Sequence, residues 1–106
     1  MWTVETLNAA VDAEIQALPK DLRARLTHIS ALIEATGLEN APADYIKHLE
    51  GKLWELRLKA RSGIARAIYV TVTGKRIVIV KAFVKKTQKT PLKELATARE
   101  RAKELE

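Results

Sequence analysis

The chain has no cysteine and only two histidines, His28 and His48. The first absence excludes disulfides, thiolate metal sites and a cysteine nucleophile, and it suits a reducing compartment. Two imidazoles without thiols argue against a structural zinc site. The four glycines, at 37, 51, 63 and 74, are too dispersed for a Walker-type phosphate loop. Ser30 and Ser62 stand in no nucleophile motif. No apolar run approaches the roughly 18–20 residues of a membrane span. The first residues, Met1-Trp2-Thr3-Val4-Glu5, lack the charged region and apolar stretch of a secretory signal. A cytoplasmic location without a membrane partner is therefore expected.

Acid is the scarcest commodity in one part of the chain. Twelve of the nineteen basic residues lie between Lys52 and Lys93, where Glu55 is the single acid, a net charge of +11. Residues 1–51 carry a net −4. Such asymmetry attracts polyanions, and phosphate backbones are the commonest. No paired carboxylates accompany the cations, which argues against a two-metal nuclease. The cations recur within strand-like and turn-like sequence, so a folded surface is expected rather than a tail.

The chain's 106 residues are 47% hydrophobic, enough for a modest core, and residues 1–106 read as one domain. Trp2 and Val4 alternate with Thr3 and Glu5, a short strand signal. Asn8 can cap a helix on which Leu7, Val11, Ile15 and Leu18 share a face. Pro19 interrupts, and Asp21 can restart a second helix with Leu22, Leu26, Ile29, Leu32 and Ile33 as its stripe. Thr36-Gly37 ends it. The two helices are expected to form a hairpin, and residues 38–51 a loop.

From Leu53 the period becomes two: Trp54, Leu56, Leu58 and Ala60 against Glu55, Arg57, Lys59 and Arg61. Ile64 to Thr73 is a second strand of this meander. Arg76 to Lys86 is a third, continuous in apolar residues and so expected to be covered on both faces. Thr90 as cap and Pro91 at the first helical position open a last helix. The order is β-α-α-β-β-β-α, an α+β fold with a twisted, mainly antiparallel sheet on a helical hairpin.

Arg57, Lys59 and Arg61 share one face of their strand, and the hairpin beside it brings in Arg66. Lys85, Lys86 and Lys89 close the third strand and the turn after it. Neighbouring strands lie about 4.8 Å apart, so these cations can converge. Arg66 has the parity of Ile64, Ile68, Val70 and Val72. Either it snorkels to water or it is held rigidly with its planar fork ready for phosphate oxygens. Lys81 interrupts Ile79 and Phe83 in the same way. Trp54 and Phe83 are expected in the core, Tyr69 on either side, and His48 on the surface.

The segments Leu53-Trp54-Glu55-Leu56-Arg57, Gly63-x-x-Arg66-x-x-Tyr69 and Ala82-Phe83-x-Lys85-Lys86-Thr87-Gln88-Lys89-Thr90-Pro91 resemble the phage-derived, RelE-like branch of toxin–antitoxin toxins that includes HigB. The resemblance spans most of the chain. It implies ribosome-dependent mRNA cleavage and neutralisation by a cognate antitoxin, often a helix-turn-helix protein. In such cleavage the RNA's own 2′-hydroxyl attacks the adjacent phosphate, with no metal or other cofactor. By resemblance Arg66 and Lys85 or Lys86 are the expected catalytic residues; Arg57 joins them from the basic face, and the same basic patch makes Lys59, Arg61, Lys81 and Lys89 the expected RNA contacts. Two other readings start from the same residues: a gyrase-directed toxin of the same superfamily, and a non-catalytic RNA- or ribosome-binding protein.

Overall fold

The computed structural model describes residues 1–86 and 89–105. Asn8 opens α1 (Ala9–Gln16), its side-chain oxygen accepting from the Val11 amide at 3.1 Å. This satisfies one of the amides that a helix start leaves free. The break at Pro19 leads into α2 (Lys20–Thr36). Gly37 ends α2 at φ +95°, a conformation that a side chain resists, while its amide still reaches Ile33 O. Asp21 does not cap this helix. Its carboxylate accepts from the Ser62 amide and hydroxyl, pinning the turn at the far end of the sheet to the start of α2.

The strands are β1 (Thr3–Thr6), β2 (Ile46–Glu50), β3 (Leu53–Ala60), β4 (Gly63–Val72) and β5 (Arg76–Lys85), in the spatial order β1-β5-β4-β3-β2. β1 runs parallel to β5 and every other pair is antiparallel. Helix α3 (Leu92–Ala102) closes the chain with a last 3-10 turn, Lys103–Leu105. The fold is α+β, as expected, with one strand more than the sequence reading. β2 lies in the stretch expected to be loop. Its Ile46-Lys47-His48-Leu49-Glu50 breaks strict alternation because a bulge falls between His48 and Glu50. It is also an edge strand with one covered side, so little of its pattern is apolar.

Alternation along β3 sends Leu56 and Leu58 into a core beneath α1 and α2, together with Ala65, Ala67 and Tyr69 of β4 and Ile77 and Ile79 of β5. Helix α1 packs chiefly on β5, and α2 on β3 and β1. Tyr69, open in the sequence, is core, and burial pushes its hydroxyl up to about 12. The opposite face forms a second core of Leu53, Ile68, Val70, Val78, Val80 and Phe83 against Ala98 of α3. In β5 the register slips: Ile68 faces Lys81 but Tyr69 faces Ile79, so Val80 is the extra residue of a bulge. β5 is buried on both faces from Ile77 to Val80, as its continuous apolar run implies.

Two expectations fail locally. Thr90 does not cap α3. Pro91 holds that position without a side-chain hydrogen bond, and the Thr90 hydroxyl donates to Glu55 Oε2 at 3.2 Å. Trp54 is 38% exposed rather than core, because it lies beside the edge strand, where its indole meets the His48 ring at 4.7 Å.

Candidate functional site

α3 covers only part of the second sheet face. Beyond it lie the charged residues of β3, β4 and β5. Register places Arg57 directly opposite Arg66, Lys59 opposite Ile64, and Ile64 opposite Lys85. Directly opposed residues in an antiparallel pair have Cα atoms about 4.5–5.5 Å apart, and like charges there repel. The neighbouring carboxylate, Glu55, offsets that repulsion. It is buried, and Lys47 of β2 stands opposite it.

Arg66 is 4% exposed, so it does not snorkel. Its Nε lies 3.2 Å from Glu55 Oε1, and its Nη1 donates to Ala65 O at 3.1 Å. The ion pair is misaligned for hydrogen bonding, leaving both Nε and Oε1 without a hydrogen-bond partner among the described residues. Burial lowers the guanidinium's proton affinity, Glu55 restores part of it, and Arg57 opposes it again. An arginine nevertheless stays charged at any physiological pH. Glu55 and Ala65 O thus hold it from one side.

A groove of about 520 Å³ runs past this pair. Arg57, Lys59 and Arg66 line it from the sheet, Arg25 from α2, and Asp44 and Tyr45 from a short 3-10 turn (Ala43–Tyr45). Lys85 adjoins the same cluster. Burial lowers its proton affinity first. Arg66, Lys47 and Arg57 lower it further, and Glu55 pulls the other way.

Of the residues singled out in the sequence, Arg57, Lys59, Arg66 and Lys85 therefore come together. Lys86 is exposed just past β5, and Lys89 is exposed further along. Thr87 and Gln88, part of the motif between them, lie outside the described residues. Arg61 is exposed in the β3–β4 turn, at the end of the sheet. Lys81 stands apart from the cluster. Its ammonium lies 3.1 Å from Glu14 and 3.7 Å from Glu94. Sequence reasoning missed Arg25, Asp44, Tyr45 and Lys47, which reach the site only through packing of α2, through the 3-10 turn Ala43–Tyr45 and through the unrecognised β2. It also missed that Glu55 is a buried partner. The available signal was its place as the one acid on the charged face of an alternating strand.

Five strands in this order, with helices on both faces, make a RelE-like fold. A RelE–RelB complex of Pyrococcus horikoshii OT3 contains a chain matching this one at a TM-score of 0.53 and 23% identity, over 78% of this chain and 93% of that one. Residues 13–103 match the family described as phage derived protein Gp49-like (DUF891), and the chain belongs to that family. No curated protein matches it in sequence. No described helix is long and apolar enough to cross a membrane.

Proposed function

We propose that this chain is the toxin of a toxin–antitoxin pair, an endoribonuclease that cuts mRNA on the ribosome without a metal ion. The observation that carries the reading is the buried Arg66, held by Glu55 and Ala65 O beside Arg57 and Lys59 in one cationic groove, with Lys85 adjoining it. The family and the RelE-like fold support it.

The chemistry follows from the residues. The 2′-hydroxyl of the RNA attacks the adjacent phosphorus, and the 5′-oxygen of the next nucleotide leaves. This needs a base for the hydroxyl proton, charge on the non-bridging oxygens and an acid for the leaving oxygen. Arg66 supplies the charge with a preorganised planar fork, and Arg57 adds to it from the facing strand. Lys85 is the candidate base, because its burial and then its crowding by cations favour the neutral amine. Lys86, exposed at the strand's end, is the candidate acid. Lys59, Arg61 and Lys89 hold the backbone on either side. In the cytoplasm a cognate antitoxin of helix-turn-helix type would neutralise the activity by covering the groove. The whole chain, 1–106, acts as one domain in this scheme.

Inducing the chain alone and mapping mRNA 5′ ends tests the reading. New ends inside translated frames, unaffected by chelator in a reconstituted reaction, are expected. DNA breaks that depend on gyrase would replace it with the gyrase-directed reading, and a growth-neutral chain with the non-catalytic one.

Two further results follow. Affinity for single-stranded RNA should fall steeply between low and physiological salt, with a log–log slope of roughly −0.7 per phosphate neutralised. A flat response would remove phosphate contact as the main binding term. The single-turnover cleavage rate should rise with pH and level off at the Lys85 pKa, below the ordinary lysine value of 10.5. Lys85→Ala should abolish that inflection. An unchanged profile in the variant would strike Lys85 from the role of base.

A further inference from the structure

One acid, Asp44, lines the cationic groove, exposed on its 3-10 turn. Asp44 makes no ion pair or hydrogen bond among the described residues, although Arg25, Arg57, Lys59 and Arg66 line the same groove. A groove that only held phosphates would gain nothing from this carboxylate, which repels them. Beside it stands Tyr45, the one aromatic residue lining the groove. Its ring is half-buried and packed against the first core, and its amide donates to Pro42 O at 3.0 Å. Pro42 restricts the backbone at the entry to this turn. The ring is therefore a fixed platform rather than a swinging side chain.

An aromatic face, a free carboxylate and adjacent cations are what a nucleotide of single-stranded RNA requires. The ring stacks on the base, the cations take the flanking phosphates, and the carboxylate reads the base edge. A carboxylate accepts and does not donate. Of the four bases, guanine alone presents two parallel donors, N1–H and the N2 amino group, on its Watson–Crick edge. That pair matches the two oxygens of one carboxylate. Adenine and cytosine offer a single amino group beside an acceptor, and uracil a single imino group between two acceptors.

We propose that Asp44 and Tyr45 form a nucleobase subsite that selects guanine in single-stranded RNA bound along the groove. Tyr45 supplies stacking common to all bases, and Asp44 supplies the preference. This deepens the endoribonuclease reading by adding a substrate preference at the same groove.

The test has a binding arm and a cleavage arm, so that failure of the subsite differs from failure of the nuclease reading. In the binding arm, oligoadenylate with one central guanosine is titrated against the same oligomer carrying inosine or adenosine there. Guanosine should bind on the order of ten-fold tighter than adenosine. Inosine, which lacks the N2 amino group, should fall between. Asp44→Asn should bring all three to one affinity. Tyr45→Ala should weaken all three together, and Tyr45→Phe should preserve them. Both residues lie in a surface turn, and a circular dichroism spectrum checks that each variant folds. Equal affinities for the three oligomers in the unmodified protein, or a guanosine preference that survives Asp44→Asn, overturns the proposal. In the cleavage arm, programmed ribosomes presenting each base in the A-site codon should be cut fastest where guanine stands, and Asp44→Asn should level the rates. A guanosine preference in binding with no cleavage at any codon leaves the subsite standing and sinks the nuclease reading. Cleavage indifferent to guanine, from a protein that binds all oligomers equally, does the reverse.

Discussion

Arg66→Ala should abolish cleavage. Removing one preorganised transition-state contact commonly costs on the order of 10²–10³ in rate, and Arg66 is the one cation of the groove that the fold holds buried. The same burial makes the simple variant ambiguous. Glu55 is 1% exposed, and without Arg66 it is a buried charge with only the Thr90 hydroxyl as hydrogen-bond donor among the described residues. Breaking a buried pair from one side typically costs about 3–5 kcal/mol, enough to unfold a marginal domain. The loss of activity must therefore be separated from loss of fold. Replacing both partners by neutral residues of similar volume, Arg66→Met with Glu55→Gln, should restore most of the stability, because a matched exchange of a buried pair is often near neutral. It should restore none of the cleavage. Arg66→Lys should keep charge but recover little rate, since a point charge does not reproduce the planar fork. Single-turnover cleavage on programmed ribosomes, with thermal denaturation alongside, decides the matter. Near-normal rates from the folded double variant would reduce Arg66 to a structural residue.

Much of this was legible in the chain. Strict alternation from Trp54 to Arg61 fixes which β3 side chains share a face, and so puts Leu56 and Leu58 together in the core. The unbroken Ile77–Val80 run marks a strand covered twice. Asn8, Pro19 and Gly37 mark helix ends through local backbone chemistry that needs no tertiary context. What was not legible depended on partners distant in sequence. Thr90 has the right form for a cap, yet Glu55 takes its hydroxyl across 35 residues. Asp21 likewise serves Ser62, 41 residues away. β2 could not be read because a bulged edge strand carries neither period. Of the site, the composition showed the positive field and the parity of Arg66 showed an anomaly. Which of its two readings held was decided by packing, as was the arrival of Arg25, Asp44 and Tyr45 from elements whose own sequences look like ordinary surface.

Glu14→Ala should destabilise the fold by loosening a polar junction outside the groove. Glu14 lies on α1, where its carboxylate accepts from the Ala82 amide at 3.1 Å, from Lys81 at 3.1 Å and from Arg101 at 2.9 Å. It thus binds α1 to β5 and to α3 at one point. The Ala82 amide lies on the side of β5 that β1, ending at Thr6, no longer covers, so the carboxylate stands in for a missing strand. Burial pushes Glu14 towards the neutral acid. The hydrogen bonds from Arg101, the Ala82 amide and Lys81 outweigh it, so its pKa falls below the usual 4.5. A carboxylate whose folded pKa is depressed contributes stability that is complete above the unfolded value and is lost as pH falls through the folded one. The wild type should accordingly lose stability below about pH 4.5, and Glu14→Gln should lose less of it over that window. Removing the side chain strands an edge amide and leaves two half-buried cations with fewer partners. Hydrogen bonds to charged groups are worth about 1.5–3 kcal/mol each when buried. These groups retain some solvent, and Lys81 keeps Glu94, so the net cost should be about 2–4 kcal/mol. Urea denaturation at pH 7 measures it. A loss under 1 kcal/mol would show that α3 is docked by Leu95, Ala98 and Ala102 alone, with the charged network decorating a contact that the apolar stripe already secures.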